Sequence, residues 1–248
     1  MQDDAAQLNA IVEGHAGLEG RELVSAVIRN AKGRVALLSS FGAESSVLLH
    51  MVSEIEPNLP VLFLDTLKLF PDTIAYREQL ARELGLTNVQ NIVPDKDDLI
   101  RVDANGFLHQ IDKDACCNVR KTLPMQKAFA AYDVIISGRK RFHGATRETL
   151  EFLTVQDGKI KVEPLAGFSA LDLHNYMQVH HLPSHPLRLQ GYRSIGCEPC
   201  TGIGGTDDDP RAGRWAGTEK TECGIHFSAS GKLIRTDLRS DTRQAAGV

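Results

Sequence analysis

What most constrains this chain is a regular alternation of short apolar runs with segments of helical periodicity through its N-terminal half. The run Val35–Ser39 reads as a buried strand, and residues 44–55 follow as a helix with Val47, Leu48, Met51 and Ile55 at helical spacing. Val61–Leu64 reads as a second strand ending in Asp65-Thr66. Pro71 then suits the first turn of a helix that reaches Leu84 and is ended by Gly85. Residues 89–93 and 134–138 supply a third and a fourth strand. Parallel neighbours need a crossover, and each crossover helix buries one face of the sheet. The expected fold is therefore α/β: a mostly parallel twisted sheet with helices on both faces. Residues 151–162 alternate around Asp157-Gly158 and predict a hairpin at the sheet edge.

At 248 residues and 42% hydrophobic, the chain can bury one sizeable core. The expected division is a folded body over residues 1–201 and a mobile C-terminal segment over 202–248. The stretch 202–217, rich in Gly and Asp with Pro210, reads as a flexible linker that Asp207, Asp208 and Asp209 keep solvated. A net charge of −4 gives no general drive toward nucleic acid or an anionic membrane, so any anion site must come from local placement of Arg and Lys. Met1-Gln2-Asp3-Asp4 lacks the start of a signal peptide, and no stretch approaches the roughly 18 apolar residues of a membrane helix. A soluble, cytoplasmic protein is expected.

Four of the five cysteines form two close pairs, Cys116-Cys117 and Cys197-Glu198-Pro199-Cys200, and Cys223 stands alone in Thr-Glu-Cys-Gly-Ile-His. In a reducing compartment such pairs more often bind metal or do chemistry than form disulfides. Adjacent cysteines rarely bridge each other, because the peptide between them would be distorted. Zinc with four cysteines usually shows two C-x(2–4)-C knuckles, a form that only the second pair has. An iron–sulfur cluster, larger and also held by four thiolates, tolerates irregular spacing better. Cys223 is left as a candidate nucleophile. His180, His181 and His185 are crowded without a carboxylate partner and read as surface histidines.

Ligands of open parallel sheets bind beyond the carboxyl ends of the strands. After the first strand, Ser39, Ser40, Phe41, Gly42, Ala43 and Glu44 form a small-residue loop opening a helix, where backbone N–H groups can hold a phosphate, or where Ser39 or Ser40 simply caps the helix. It is not a Walker loop, since no Gly-Lys-Ser/Thr follows. After the second strand, Asp65 is placed to read a ribose hydroxyl or a base. After the fourth, residues 137–147 concentrate Arg139, Lys140, Arg141 and Arg147, and this position in an acidic protein favours an anion-binding loop.

Ser-Ser-Phe-Gly-Ala-Glu, Leu-Asp-Thr followed by Leu-Phe-Pro, Cys-Cys-x-x-Arg-Lys, Gly-Tyr-x-Ser-Ile-Gly-Cys-x-Pro-Cys-Thr and Glu-Cys-Gly-Ile-His together resemble the assimilatory adenylyl-sulfate reductases, over Ser39 to His226. The resemblance implies an adenine nucleotide alpha hydrolase-like fold, a [4Fe-4S] cluster, and reduction of adenosine 5′-phosphosulfate to sulfite and AMP by thioredoxin or a glutaredoxin-like reductant. Position by position, it implies that Cys116, Cys117, Cys197 and Cys200 each ligate one iron and that Cys223 attacks the substrate sulfur. Lys121 matches a lysine between cluster and sulfate, and Arg211 and Arg214 match two arginines that reach the sulfate. Residues Ser39 to Glu44 match the nucleotide loop, Leu64, Asp65 and Thr66 the adenosine side, and Gly138, Arg139 and Arg147 the basic loop. Related 3′-phosphoadenylyl-sulfate reductases generally lack the two cysteine pairs.

Two departures from the family pattern stand out. Leu67 replaces a usual glycine after Asp-Thr, and Leu resists the positive φ a glycine allows. The basic loop is Arg139-Lys140-Arg141-Phe142-His143-Gly144 rather than the common Arg-Arg-Asp/Glu-Gln-Ser-like stretch. Two other classes differ in their signatures. A tRNA-thiolation enzyme would show Ser-Gly-Gly-x-Asp-Ser and a basic RNA surface, neither visible here, and an iron–sulfur sensor would not need Cys223. The expected partners are thus a thiol reductant and a small nucleotide, with no nucleic acid and no membrane. The sequence leaves open whether the chain forms a homo-oligomer and whether the 3′-phosphorylated nucleotide is used.

Overall fold

The computed structural model describes residues 14–15, 17–31, 34–144, 147–156, 158–206, 209–215, 226–227 and 233–234. Helix α1 (Gly20–Asn30) precedes strand β1 (Val35–Ser39), helix α2 (Ser45–Ser53), strand β2 (Val61–Leu64), helix α3 (Pro71–Glu83) and strand β3 (Val89–Ile92). Short helices α4 (Lys96–Val102), α5 (Leu108–Ile111) and α6 (Lys113–Cys117) lead through a π-helical turn (Asn118–Thr122) into α7 (Leu123–Phe129) and strand β4 (Val134–Ser137). Hairpin strands β5 (Leu153–Gln156) and β6 (Lys159–Val162) follow, then helices α8 (Ala170–Val179) and α9 (Pro186–Leu189). A separate two-residue pair, β7 (His226–Phe227) and β8 (Leu233–Ile234), closes the described chain.

The main sheet has six strands in the order β3-β2-β1-β4-β6-β5. All neighbouring pairs run parallel except β5 with β6, so the predicted hairpin does lie at the edge, with β5 outermost. Period-two alternation sorts the central side chains onto two buried faces. Leu37, Val61, Phe63, Val134 and Ile136 join one core with Leu23, Val27, Val47, Met51, Tyr76 and Leu80 of α1, α2 and α3, and with Leu173 of α8. Ala36, Leu62 and Ile135 face the other way, onto Met125 and Phe129 of α7. Helices therefore cover both faces, as the alternation requires.

Local signals explain most boundaries. Pro71 starts α3, and Gly85 (φ 65°) ends it, with the Gly85 N–H donating to the Arg82 carbonyl and the Leu86 N–H to the Ala81 carbonyl. Other features differ from expectation. The residue at the N-cap of α2 is Glu44, without a side-chain cap bond; Ser39 Oγ instead accepts the Phe41 N–H (3.2 Å), inside its own loop. Leu67 does take a positive φ (58°), in an Asx turn where Asp65 Oδ1 accepts its N–H at 2.9 Å. His180 and His181 are exposed as expected, but His185 is fully buried: its Nδ1 accepts the Leu187 N–H and its Nε2 lies 3.1 Å from Thr73 Oγ1. The stretch read as a linker closes on the body at its described residues. The Gly202 N–H donates to the Gly213 carbonyl (2.7 Å) and the Trp215 N–H to the Cys200 carbonyl (3.1 Å), and Trp215 is buried. Small residues permit this close pairing, since a Cβ on Gly213 would stand 2.5 Å from the Gly202 carbonyl oxygen.

Candidate active site

From β1 the chain crosses to β2 on one side, while β4 adds on the other, so strand order reverses between β1 and β4. A crevice opens beyond the carboxyl ends of strands at such a point. Here it is a cavity of about 320 Å³ whose walls come from seven segments of the chain.

The β1–α2 loop forms one wall. Ser39, Ser40, Gly42, Ala43 and Glu44 line it, as does Ser45 at the start of α2, whose N–H donates to the Gly42 carbonyl (3.1 Å). Phe41 does not line the cavity: at φ 47° it turns into the core, edge-on to Phe63 with ring centroids 5.3 Å apart. From the β2 end, Leu64 and Thr66 line the cavity, whereas the Asp65 carboxylate is turned into the Leu67 turn. Leu38, Leu64, Met125 and Phe129 give the cavity an apolar side.

The basic loop after β4 contributes Gly138, Arg139, Lys140, His143 and Arg147. Two of its cations are paired. Glu163, at the end of β6, accepts Arg139 Nε (2.8 Å) and Ser137 Oγ (2.6 Å). Glu44 accepts Lys140 Nζ (2.8 Å) and meets His143 Nε2 (3.2 Å). Burial by itself would raise the Glu44 carboxyl, but the Lys140 charge and the His143 contact outweigh it and hold the group well below the usual carboxylate range. This also explains why no side chain caps α2: Glu44 is drawn across to β4. Arg141 turns away, donating to the Leu150 carbonyl (2.8 Å) and lying 4.8 Å from the Phe152 ring centroid.

Arg211 and Arg214 complete the mouth, lying 5.4 and 4.5 Å from the Trp215 ring centroid. Gly196 makes room for Arg214, because a Cβ there would meet its guanidinium at 2.3 Å. Altogether eight Lys and Arg side chains against two Glu line the cavity, a strong local excess in a chain whose net charge is −4. An anionic ligand with an apolar ring suits it.

A second, smaller cavity lies behind the first. Cys116, Cys117, Cys197 and Cys200 all line it, with Lys68, Arg120 and Lys121. None of the four is in a disulfide. The π turn inserts one residue into the helical ladder and sets Arg120 and Lys121 inward, both buried. Burial pushes the Cys116 and Cys200 thiols up, and neighbouring cysteines add to this, while Arg120 opposes it at Cys116 and Lys121 and Arg214 at Cys200. Among the described residues, no group of three or more His, Cys, Asp or Glu is gathered closely enough for a single metal ion. The thiols surround a shared space instead. Lys121 and Cys197 line both cavities and form the wall between them, and Thr66 Oγ1 lies 3.2 Å from Cys197 Sγ.

Residues 34–203 match the phosphoadenosine phosphosulfate reductase domain. The chain belongs to this reductase family. An adenosine 5′-phosphosulfate reductase of Mesorhizobium japonicum is 45% identical over 225 residues, covering 90% of this chain and 87% of the relative. One of Bacillus mycoides is 36% identical over 204 residues, covering 79% and 85%. Among solved structures, a phosphoadenylyl-sulfate reductase of Candida auris, in a phosphate complex, superposes with a TM-score of 0.65 at 21% identity, covering 79% of this chain and 96% of that one. That likeness speaks for the fold.

The structure of this reductase thus brings together Ser39, Ser40, Gly42, Ala43, Glu44, Leu64, Thr66, Gly138, Arg139, Arg147, Lys121, Arg211 and Arg214 around one cavity and the four paired cysteines around its neighbour. Phe41 and Asp65 stand apart, and Cys223 lies outside the described residues. Sequence reasoning missed Arg193, Lys161 and Glu163. Arg193 stood at the variable position of Gly-Tyr-x-Ser, Lys161 faced a hairpin side read only for its alternation, and Glu163 followed a strand whose parallel pairing with β4 was not foreseen.

Proposed function

We propose that this chain reduces adenosine 5′-phosphosulfate to sulfite and AMP in sulfate assimilation, through an S-sulfocysteine formed on Cys223. The reading is carried by one observation: a cavity rich in cations, fitted for an adenylate, shares the Lys121 wall with a cavity of four thiols. The relatives named above add the substrate.

The sulfur of adenylyl sulfate is a resistant electrophile because its oxygens repel an incoming thiolate. Lys121, Arg211 and Arg214 offset that charge as it redistributes. The Cys223 thiolate then forms an S–S bond to the substrate sulfur as the S–O bond to phosphate breaks, and AMP leaves with the electron pair. A thiolate of thioredoxin, or of a glutaredoxin-like protein, next attacks Cys223 Sγ and expels sulfite. Its second thiol resolves the mixed disulfide. Two electrons pass from the dithiol, which becomes a disulfide, to sulfur.

Cys116, Cys117, Cys197 and Cys200, four unbridged cysteines that line one cavity with Lys68, Arg120 and Lys121, are the residues that would hold a [4Fe-4S] cluster. Bound there, the cluster would supply negative charge and a rigid support behind Lys121. The dependence on a reducing thiol partner and on unbridged cysteines fits a cytoplasmic setting.

The test is mass spectrometry of reduced, anaerobically purified protein mixed with adenylyl sulfate in the absence of any reductant. A sulfonate on Cys223, absent in Cys223→Ser, together with iron and sulfide in both proteins, is the expected result. Sulfite production by Cys223→Ser at the wild-type rate would refute the mechanism.

A further inference from the structure

Three consecutive cations, Arg139, Lys140 and Arg141, follow β4, and the first two line a cavity already rich in positive charge. Gly138, Arg139 and Lys140 line one end of it, so a second phosphate on a ligand that reaches this end would meet that cluster. Each of the three is committed elsewhere. Arg141 is held by the Leu150 carbonyl and the Phe152 ring, Lys140 by Glu44, and Arg139 by Glu163.

Glu163 is 3% exposed, and its contacts surround Gly138. Oε2 accepts from Ser137 Oγ (2.6 Å) on one side of that glycine and from the Arg139 N–H (3.3 Å) on the other, while Oε1 takes Arg139 Nε (2.8 Å). The carboxylate thus fixes the turn and cancels the charge of the arginine nearest to it. Lys121, Arg211 and Arg214, which would serve the phosphosulfate, belong to other segments of the wall.

We infer that Glu163 is a specificity-determining residue: by neutralising Arg139 beside Gly138, it makes the cavity accept an adenylate with a free 3′-hydroxyl and reject one bearing a 3′-phosphate. This rests on the reading of the cavity as an adenylyl-sulfate site. Replacing the carboxylate by an amide of the same shape removes one negative charge and releases the Arg139 guanidinium, so a 3′-phosphate gains a cation where it previously met a closed pair.

The experiment is calorimetric titration of the full-length, cluster-loaded protein with AMP and with adenosine 3′,5′-bisphosphate, for wild type, Glu163→Gln and Glu163→Asp. Wild type is expected to prefer AMP, Glu163→Gln to shift the ratio of affinities toward the bisphosphate by about tenfold or more, and Glu163→Asp to keep the wild-type ratio. A purely structural role would weaken both ligands together and leave the ratio unmoved. An unchanged ratio in Glu163→Gln with AMP still bound, or a wild type that takes the bisphosphate as tightly as AMP, overturns the inference. Should Glu163→Gln fail to fold, Arg139→Gln decides: it leaves the Glu163 carboxylate without its counter-charge and should move the ratio further toward AMP, and an unmoved ratio there overturns the inference. A wild type that binds neither nucleotide overturns the adenylyl-sulfate reading itself, a failure distinct from an unmoved ratio.

Discussion

Asp103 and Arg120 form the buried ion pair on which the cysteine cavity is built, and breaking it gives the most informative perturbation. Asp103 Oδ2 accepts Arg120 Nη2 (2.6 Å) and Nε (3.1 Å), its Oδ1 accepts the Leu108 N–H (2.8 Å), and Arg120 Nη1 donates to the Thr66 carbonyl (3.0 Å). The Asp103 side chain is 0% exposed and that of Arg120 6%. The pair therefore ties the segment between α4 and α5 to the π turn, and through Thr66 to Cys197. In Asp103→Asn the guanidinium stays buried without its counter-charge, a change that costs about 3–5 kcal/mol in general. The amide still accepts from Leu108, which places the expected loss near the low end, about 3 kcal/mol. For a chain of this length the melting temperature should fall by roughly 6–12 °C. Thermal unfolding of the anaerobically prepared protein measures it, with labelling of the four thiols as a second readout that should accelerate. The double variant Asp103→Asn, Arg120→Met removes the orphaned charge and should be more stable than Asp103→Asn alone. A single variant that melts within about 2 °C of wild type, or a double variant worse than the single, would refute the reasoning.

Two further outcomes follow from the geometry. Burial lowers the pKa of His185 to about 4, against the opposing pull of Asp72, so the folded protein holds it neutral while the unfolded chain protonates it near 6.5. Stability contributed by the neutral imidazole is present above that unfolded value and is lost as pH falls toward about 4, with a slope of up to ~1.4 kcal/mol per pH unit; melting curves across that window should flatten in His185→Gln, and an equal slope in both proteins would contradict this. In Gly196→Ala the new Cβ displaces the Arg214 guanidinium, which a Cβ would otherwise meet at 2.3 Å. Sulfite formation should drop about 10- to 100-fold with little change in melting temperature, and a rate within about threefold of wild type would show that Arg214 does not face the reacting group.

The central sheet was legible because its strands are buried on both faces and so appear as continuous apolar runs: Val35–Ser39 and Val61–Leu64 have the bounds that their sequences imply. Gly85 and Pro71 announced themselves by backbone rules alone. Features set by distant partners were not legible. The N-terminus of α2 lacks its expected serine cap because Lys140 and His143, far along the chain, claim Glu44. Leu67 holds a positive φ that costs roughly 1–2 kcal/mol for a non-glycine residue, because Asp65 and the neighbouring Glu198 N–H bond to the Lys68 carbonyl over-determine the turn. His185 looked like a surface residue because only the tertiary fold sets it against Thr73 and Tyr76. The same holds for the site. Its motifs were readable, but the cancellation of charge on Lys140 depends on β1 and β4 meeting at the switch point and that on Arg139 on β6 pairing with β4, and no local pattern encodes either.

Trp215 sets a leash. Its amide is fastened to the Cys200 carbonyl and its ring lies near the two mouth arginines, so the chain leaving it starts at the rim of the cavity. Eight peptide steps separate Trp215 from Cys223, a contour of roughly 26–29 Å at full stretch. In the mechanism proposed above, a tether of that length would make attack on the nucleotide intramolecular, at an effective concentration on the order of millimolar.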